Sequence, residues 1–204
     1  METKTERSEL TLAAILDTSL AMATTDGLDS LTIGEVAKRL GLSKSGVFSR
    51  IGSREALQAA VIEEYGRRFL ADVFTPAMRE PRGLPRLNAI MRLWMQRARD
   101  VEIESGCLYC AGAFEFDDRE GPLRELLLRD VLRWRAALKR TVLQAVEAGH
   151  LVPDLDPDQL VFELDGLFVT LMREARFLRD PRAADRSWMA YERLIGSLQT
   201  SPAR

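Results

Sequence analysis

An all-α fold of about nine helices is what the sequence predicts, and three observations carry it. Apolar residues recur at i, i+3, i+4 and i+7 in the long segments. No stretch shows the strict alternation of a half-buried strand, and stop signals such as Asp26-Gly27, Gly41 and Gly149 fall where the helical periods end. At 204 residues with 46% hydrophobic side chains, the chain has enough apolar surface to fold without covalent staples. The expected organisation is a three-helix helix-turn-helix head over residues 1–52, a bridging helix over about 53–70, and a helical body over 71–204.

Met1 to Arg7 reads as a loose charged arm. From Ser8, Leu12, Ile15, Leu16, Leu20 and Ala23 follow a helical period that Asp26-Gly27 ends, and Leu28 and Leu31 close the loop after it. The stretch from Thr32 to Arg54 is the most informative in the chain. Ile33, Val36, Ala37 and Leu40 form the apolar stripe of a short helix with Thr32 as its N-cap. Gly41 ends that helix, and Ser43 caps a second one that turns Val47 and Ile51 inward. Two short helices joined by a three-residue turn, with Ala37, Gly41 and Val47 at the crossing, make a helix-turn-helix. Lys38, Arg39, Lys44, Arg50 and Arg54 face the single acid Glu35 over this stretch, whereas the whole chain carries a formal net charge of -2. Positive charge is therefore concentrated on the motif.

Ser53 caps the next helix, which starts at Arg54 with Glu55 in its first turn and carries Leu57, Val61, Tyr65 and Leu70. Pro76, Pro81, Gly83 and Pro85 then predict a break and a hinge. Leu87, Ile90, Met91, Trp94, Met95 and Ala98 predict a helix to about Ser105-Gly106, and residues 107–116 a short one. Asp117 to Pro122 reads as a polar turn. Leu127, Val131, Trp134, Leu138, Val142 and Ala145 line one side of a long helix over 123–148. Asp156-Pro157 and Asp180-Pro181 each set a cap before a proline, the preferred start of a helix, and predict the last two, ending near Leu178 and Leu198.

Several function classes are disfavoured by what the residues lack. Nothing at the N-terminus combines a basic segment, an apolar run and a small-residue cleavage site. The most apolar stretch, residues 160–172, is interrupted by Glu163 and Asp165, so a cytoplasmic protein without a membrane span is expected. Cys107 and Cys110 are the only two cysteines, too few for a disulfide framework. Their CxxC spacing lacks the two further ligands zinc needs and the βαβ surroundings of a thioredoxin-type site, which leaves inert thiols or a thiol sensor. No metal or cofactor is expected. There is no glycine-rich phosphate loop, nucleophile elbow or metal-ligand helix, so no catalytic residue is assigned and an enzyme is not expected. Glu115, Asp117 and Asp118 read as solvated turn residues, and His150 as a capping cation or loop residue.

From Ala13 to Val61 the chain sets out an Ala-rich helix, Gly27, Leu31-Thr32, Ile33, Val36-Ala37, Gly41-Leu42-Ser43-Lys44, Val47-Phe48 and Ser53-Arg54-Glu55-Ala56-Leu57. In this order it resembles the TetR-type (TetR/AcrR) transcriptional regulators. The likeness implies a DNA-binding head and a body whose ligand tilts the bridging helix, in a regulator that acts as a repressor. One departure matters. Where members often carry Tyr-x-x-Phe near the end of the recognition helix, with the tyrosine hydroxyl on a phosphate, this chain has Phe48 and Ile51. Phenylalanine cannot donate that hydrogen bond, so packing is the role expected of Phe48. Arg54 keeps the charge of the common lysine after the motif.

For DNA, Lys44, Ser45 and Ser49 are candidates for base edges, and Thr32, Arg50 and Arg54 for phosphates, with Phe48 among them on the second motif helix. One head gives too little interface for operator affinity, so a homodimer on a near-palindromic double-stranded site is expected. The resemblance implies a four-helix dimer contact. Leu164, Phe168, Leu171, Trp188, Tyr191 and Ile195 are its candidates, with internal core as the alternative. Met91, Trp94, Met95, Cys107, Cys110, Phe114, Trp134 and Phe168 are candidates for the pocket of a small apolar or amphipathic effector. Two other readings stay open: a thiol-responsive regulator using Cys107 and Cys110, and a helical adaptor that uses the motif for protein contacts.

Overall fold

The computed structural model describes residues 4–200. Helix α1 spans Lys4–Asp26, so the expected charged arm is already helical from Lys4, and its residues 1–3 lie outside the described residues. A 3-10 turn at Leu28–Ser30 leads to α2, Ile33–Leu40, and α3, Lys44–Ile51. Helix α4 opens as Arg54–Phe69, passes through a π turn at Leu70–Phe74 and ends in Thr75–Ala77. Helix α5 runs Leu84–Arg97, with a π turn at Ala98–Glu102 and a last turn at Ile103–Ser105. Then come α6, Leu108–Glu115, and α7, Pro122–Glu147. Helix α8 spans Pro157–Met172 with a π turn at Arg173–Phe177, and α9 spans Ala183–Leu198. Among the described residues there are nine helices and no strand; an isolated bridge joins Leu151 to Gln199.

Pro76 does not break α4 as its sequence suggests. The π turn immediately before it widens the backbone, so the Thr75 N–H bonds back to the Leu70 carbonyl, and Pro76 enters where its missing N–H costs least. The break comes later, over residues 78–83. The last helix likewise starts two residues past Pro181: Asp180 Oδ1 accepts from the Arg182 N–H at 2.9 Å and shapes the turn before Ala183.

Two compact units emerge. The first holds the chain up to Arg68 together with Leu108–Asp130, and the second holds Phe69–Cys107 together with the residues from Val131 on. The grouping differs from a head ending at residue 52, because α6 and the start of α7 pack with it. The first unit is centred on Ile15, Ala23, Leu28, Leu31, Val36, Val47, Leu57, Val61 and Ile62, each 0% exposed. The second is centred on Leu87, Ile90, Met91, Leu138, Val142, Leu160, Leu164 and Leu171, also 0% exposed. Burial of this kind supplies the main favourable term for both.

Candidate nucleic-acid interface

Local capping sets the helix-turn-helix. Thr32 has extended backbone, and its hydroxyl oxygen accepts from the Glu35 N–H at 3.1 Å; Ser43 does the same for Gly46 at 3.0 Å. Between them Gly41 takes the left-handed conformation, φ 65°, which closes α2 and lets the Leu42 N–H reach the Ala37 carbonyl at 2.9 Å. Val36, Ala37 and Val47 are buried at the crossing, as their spacing predicts.

This leaves α3 with one outward face. Lys44, Ser45, Phe48, Ser49 and Arg50 are exposed, and the helix carries no acidic residue. Arg50 lies along its own helix, donating through Nη1 to the Gly46 carbonyl at 2.8 Å, and the Ser49 hydroxyl donates to the same oxygen at 3.0 Å. Thr32 is exposed at the start of α2; its oxygen is taken by the cap, which leaves the hydroxyl proton for an outside acceptor.

Two of the sequence expectations need correcting. Arg54 is not free to hold a phosphate: its guanidinium donates to the Leu31 carbonyl at 2.9 Å and the Asp29 carbonyl at 2.5 Å, and pairs with the Asp29 carboxylate at 3.2 Å. It braces the turn between α1 and α2. Arg39 is similarly engaged, with Asp26 and Glu35. Phe48 does not pack inward; its side chain is 55% exposed because Val47, one residue earlier, already fills the inward position on α3.

The brace on that turn has a second half which sequence reading missed. Glu115, at the end of α6, accepts the Leu28 N–H at 3.0 Å and the Asp29 N–H at 2.8 Å, and Arg119 pairs with the Asp29 carboxylate. Gly27 makes room for this: at φ 88°, a Cβ there would stand 3.2 Å from both Glu115 oxygens. Glu115 is thus a cap for a 3-10 turn 87 residues away, not a solvated acid, and only the separation hid it. Asp117 and Asp118 stay exposed. His150, in the second unit, accepts the Leu84 N–H through Nδ1 at 3.2 Å at the start of α5.

The effector candidates divide between the units, with Met91, Trp94, Met95, Cys107, Trp134 and Phe168 in the second and Cys110 and Phe114 in the first. Trp94 stacks on Phe168 with centroids 4.3 Å apart, and Trp134 meets Trp94 edge-on at 5.0 Å and Phe69 at 4.8 Å. The Trp134 indole N–H is buried without a hydrogen-bond partner. Met91 and Met95 are buried in the same unit. Phe114, by contrast, is 71% exposed on α6 and lines no aromatic cluster. Cys107 is buried and Cys110 half-buried, and no disulfide joins them. Among the described residues, no group of three or more His, Cys, Asp or Glu side chains is placed to hold a metal ion.

For most of the dimer candidates, burial favours the core alternative. Leu164, Phe168, Leu171, Tyr191 and Ile195 are 0–4% exposed within one protomer, and the Tyr191 hydroxyl donates to Asn88 at 2.7 Å. They are core, whereas Trp188 is half-buried, with its ring 5.2 Å from Tyr191 and its indole N–H on Glu192 at 2.8 Å. The outer faces of α8 and α9 expose Phe162, Val169 and Met189, beside an open groove of about 640 Å³ lined by Gly166, Thr170, Ala190 and Arg193.

Comparison with known families agrees with this geometry. Residues 15–61 match the family described as bacterial regulatory proteins, tetR family, and residues 83–191 match the tetracyclin repressor-like C-terminal domain. The chain belongs to the TetR family. It is a transcriptional regulator whose N-terminal domain binds DNA. Solved structures share the fold at low identity. A TetR transcriptional regulator from Chloroflexus aurantiacus has a TM-score of 0.82 at 18% identity, over 96% of this chain and 99% of that one. A TetR-family regulator from Cytophaga hutchinsonii has a TM-score of 0.80 at 18% identity, over 98% and 100%. AibR, crystallised with isovaleryl coenzyme A and operator DNA, has a TM-score of 0.72 at 18% identity, over 92% and 97%. No curated protein matches the sequence. No helix among the described residues is long and apolar enough to cross a membrane.

Proposed function

We propose that this TetR-family protein is a cytoplasmic repressor without catalytic activity, which binds a near-palindromic operator as a homodimer and is released by a small amphipathic effector. The observation that carries the DNA half is the α3 face, exposed, free of acid and flanked by Lys44 and Arg50. Lys44 and Ser45, in the first turn of α3, read base edges, while Thr32 and Arg50 hold phosphates. The two copies meet through the outer faces of α8 and α9, where Phe162, Gly166 and Val169 form a stripe at i, i+4, i+7 opposite Met189 and Ala190.

The effector half rests on the aromatic cluster of Trp94, Trp134 and Phe168. A buried indole N–H with no partner calls for an acceptor, so the ligand carries an oxygen on an apolar frame. That AibR holds an acyl coenzyme A together with operator DNA supports reading both partners here. Such a ligand acts through α4, and only if it binds the released arrangement more tightly than the DNA-bound one.

Selection of bound sequences from a random DNA pool tests the core of this reading. A two-fold motif is the expected result. On it, Lys44→Ala relaxes base preference at one position per half-site, and Arg50→Ala weakens every sequence alike and lowers the salt slope by about one. Failure to enrich any sequence would sink the repressor assignment and favour the adaptor reading. A one-fold motif bound by a monomer would remove the dimer, and a Phe162→Glu protein that still sediments as a dimer would move its interface away from the outer faces of α8 and α9.

A further inference from the structure

Phe48 stands out on the α3 face. Leaving a phenyl ring 55% exposed forgoes apolar burial that the fold could have used. Nothing in the head requires it, since the core position on this turn is filled by Val47 at 0% exposure. Phe48 lies three residues from Ser45 and four from Lys44, so all three project from one side of the helix. The polar groups beside it are short and partly engaged, Ser45 with Ser43 at 3.2 Å and Ser49 with the Gly46 carbonyl at 3.0 Å. A phenyl group offers a phosphate no donor, so the ring does not substitute for a hydroxyl that holds the backbone. The major groove presents one apolar group, the 5-methyl of thymine.

We propose that Phe48 is a base-reading residue that packs its ring on the thymine 5-methyl at one position of each half-site. This rests on the DNA-binding reading above and makes the operator specific where hydrogen bonding from Ser45 and Ser49 is weak. The contact distinguishes thymine from uracil, which differ only by that methyl, and it leaves phosphate contacts and the salt slope untouched.

The selected operator supplies the probe. Each thymine of a half-site is replaced in turn by deoxyuridine, and binding is measured by titration for the wild type, Phe48→Ala and Phe48→Leu. The wild type loses about fourfold in affinity at one position per half-site, the amount that one buried methyl is worth, and little elsewhere. Phe48→Ala binds thymine and uracil operators equally at that position, with its salt slope unchanged, and Phe48→Leu keeps part of the discrimination. A wild type indifferent to every deoxyuridine, or a Phe48→Ala protein that still pays the same penalty, overturns the proposal while leaving DNA binding in place. So does a uniform loss for Phe48→Ala on thymine and uracil operators with the wild-type preference retained, since the ring would then rest on sugar and backbone. If no sequence is bound at all, the repressor reading fails and this inference falls with it.

Discussion

In the first unit charged side chains stay near the surface and tie turns to helices, whereas in the second the key guanidinium is sunk in the core. Glu115 and Arg54, on helices distant in sequence, and Arg119, in the loop after α6, all grip the turn at Leu28–Ser30, and the Arg54, Arg119 and Asp29 side chains remain 43–48% exposed. Arg97 is 6% exposed, pairs with the fully buried Glu102 at 3.0 Å across the π turn of α5, and also pairs with Asp72 in the π turn of α4. Arg176, in the π turn of α8, donates to the carbonyls of Glu102, Ile103 and Glu104 at 2.9–3.2 Å. Three irregular turns are thus cross-linked by two arginines. The difference teaches where adjustment is cheap: exposed ion pairs are worth little each and shift readily, while a buried pair fixes its neighbours because half of it cannot be left alone.

The largest expected effect follows from that asymmetry. Arg97→Ala strands the Glu102 carboxylate in the core and should cost about 3–5 kcal/mol in urea unfolding. Adding Glu102→Gln removes the stranded charge and should recover part of the loss. A cost below about 1 kcal/mol would place the pair among exposed ones and erase the contrast between the units.

Next comes Glu115→Ala, which removes the shared acceptor of two backbone N–H groups, one part-buried and one exposed. About 1–2 kcal/mol is expected from denaturation, with weaker operator binding because the turn bears directly on α2. Unchanged stability would mean that water replaces the carboxylate and the clip holds nothing. Arg54→Ala should cost about 1 kcal/mol for the lost contacts to Asp29 and Leu31, yet leave the salt slope of DNA binding at the wild-type value. A slope lowered by about one would return Arg54 to the phosphate role that its place in the sequence suggested.

These pairs also explain what was legible in the sequence. Thr32, Gly41, Ser43 and Val47 act within a few residues of where they stand, so spacing alone located the helix-turn-helix and its caps. Helix periods gave all nine helices for the same reason. Glu115 and Arg54 act across long separations through a few local contacts at one turn, which leave no periodic trace. The π turns were invisible because one extra residue in a turn hardly disturbs an apolar stripe, although it rescued Pro76. On α8 and α9 both faces carry apolar residues, so the sequence leaves core and interface open for them, and only burial shows Leu164 and Phe168 inside while Phe162 and Val169 face out. The packing role expected of Phe48 follows from its lack of a donor, and the sequence does not show its exposure, which comes with Val47 filling the inward position on α3.

The smallest effect belongs to Glu64 on α4, a surface cluster of the first unit. Its carboxylate accepts from Arg67 at 2.7 and 2.8 Å and from Arg68 at 2.7 Å, and the Arg67 hydrogen bond above all holds its pKa down from 4.5 to about 2. A carboxyl depressed in the folded state contributes stability that is complete above the unfolded value and is lost as pH falls through the folded one. The window is therefore from about pH 4.5 down to 2. Solvent screens the cluster, since Arg67 is 68% exposed, so the contribution at neutral pH is about 1 kcal/mol or less. Glu64→Gln should accordingly lower Tm by about 2–4 °C at pH 7, with the gap to the wild type closing as pH falls toward 2. A gap that stayed constant across that window would assign Glu64 a packing role and weaken the view that the first unit is tied by adjustable surface charge.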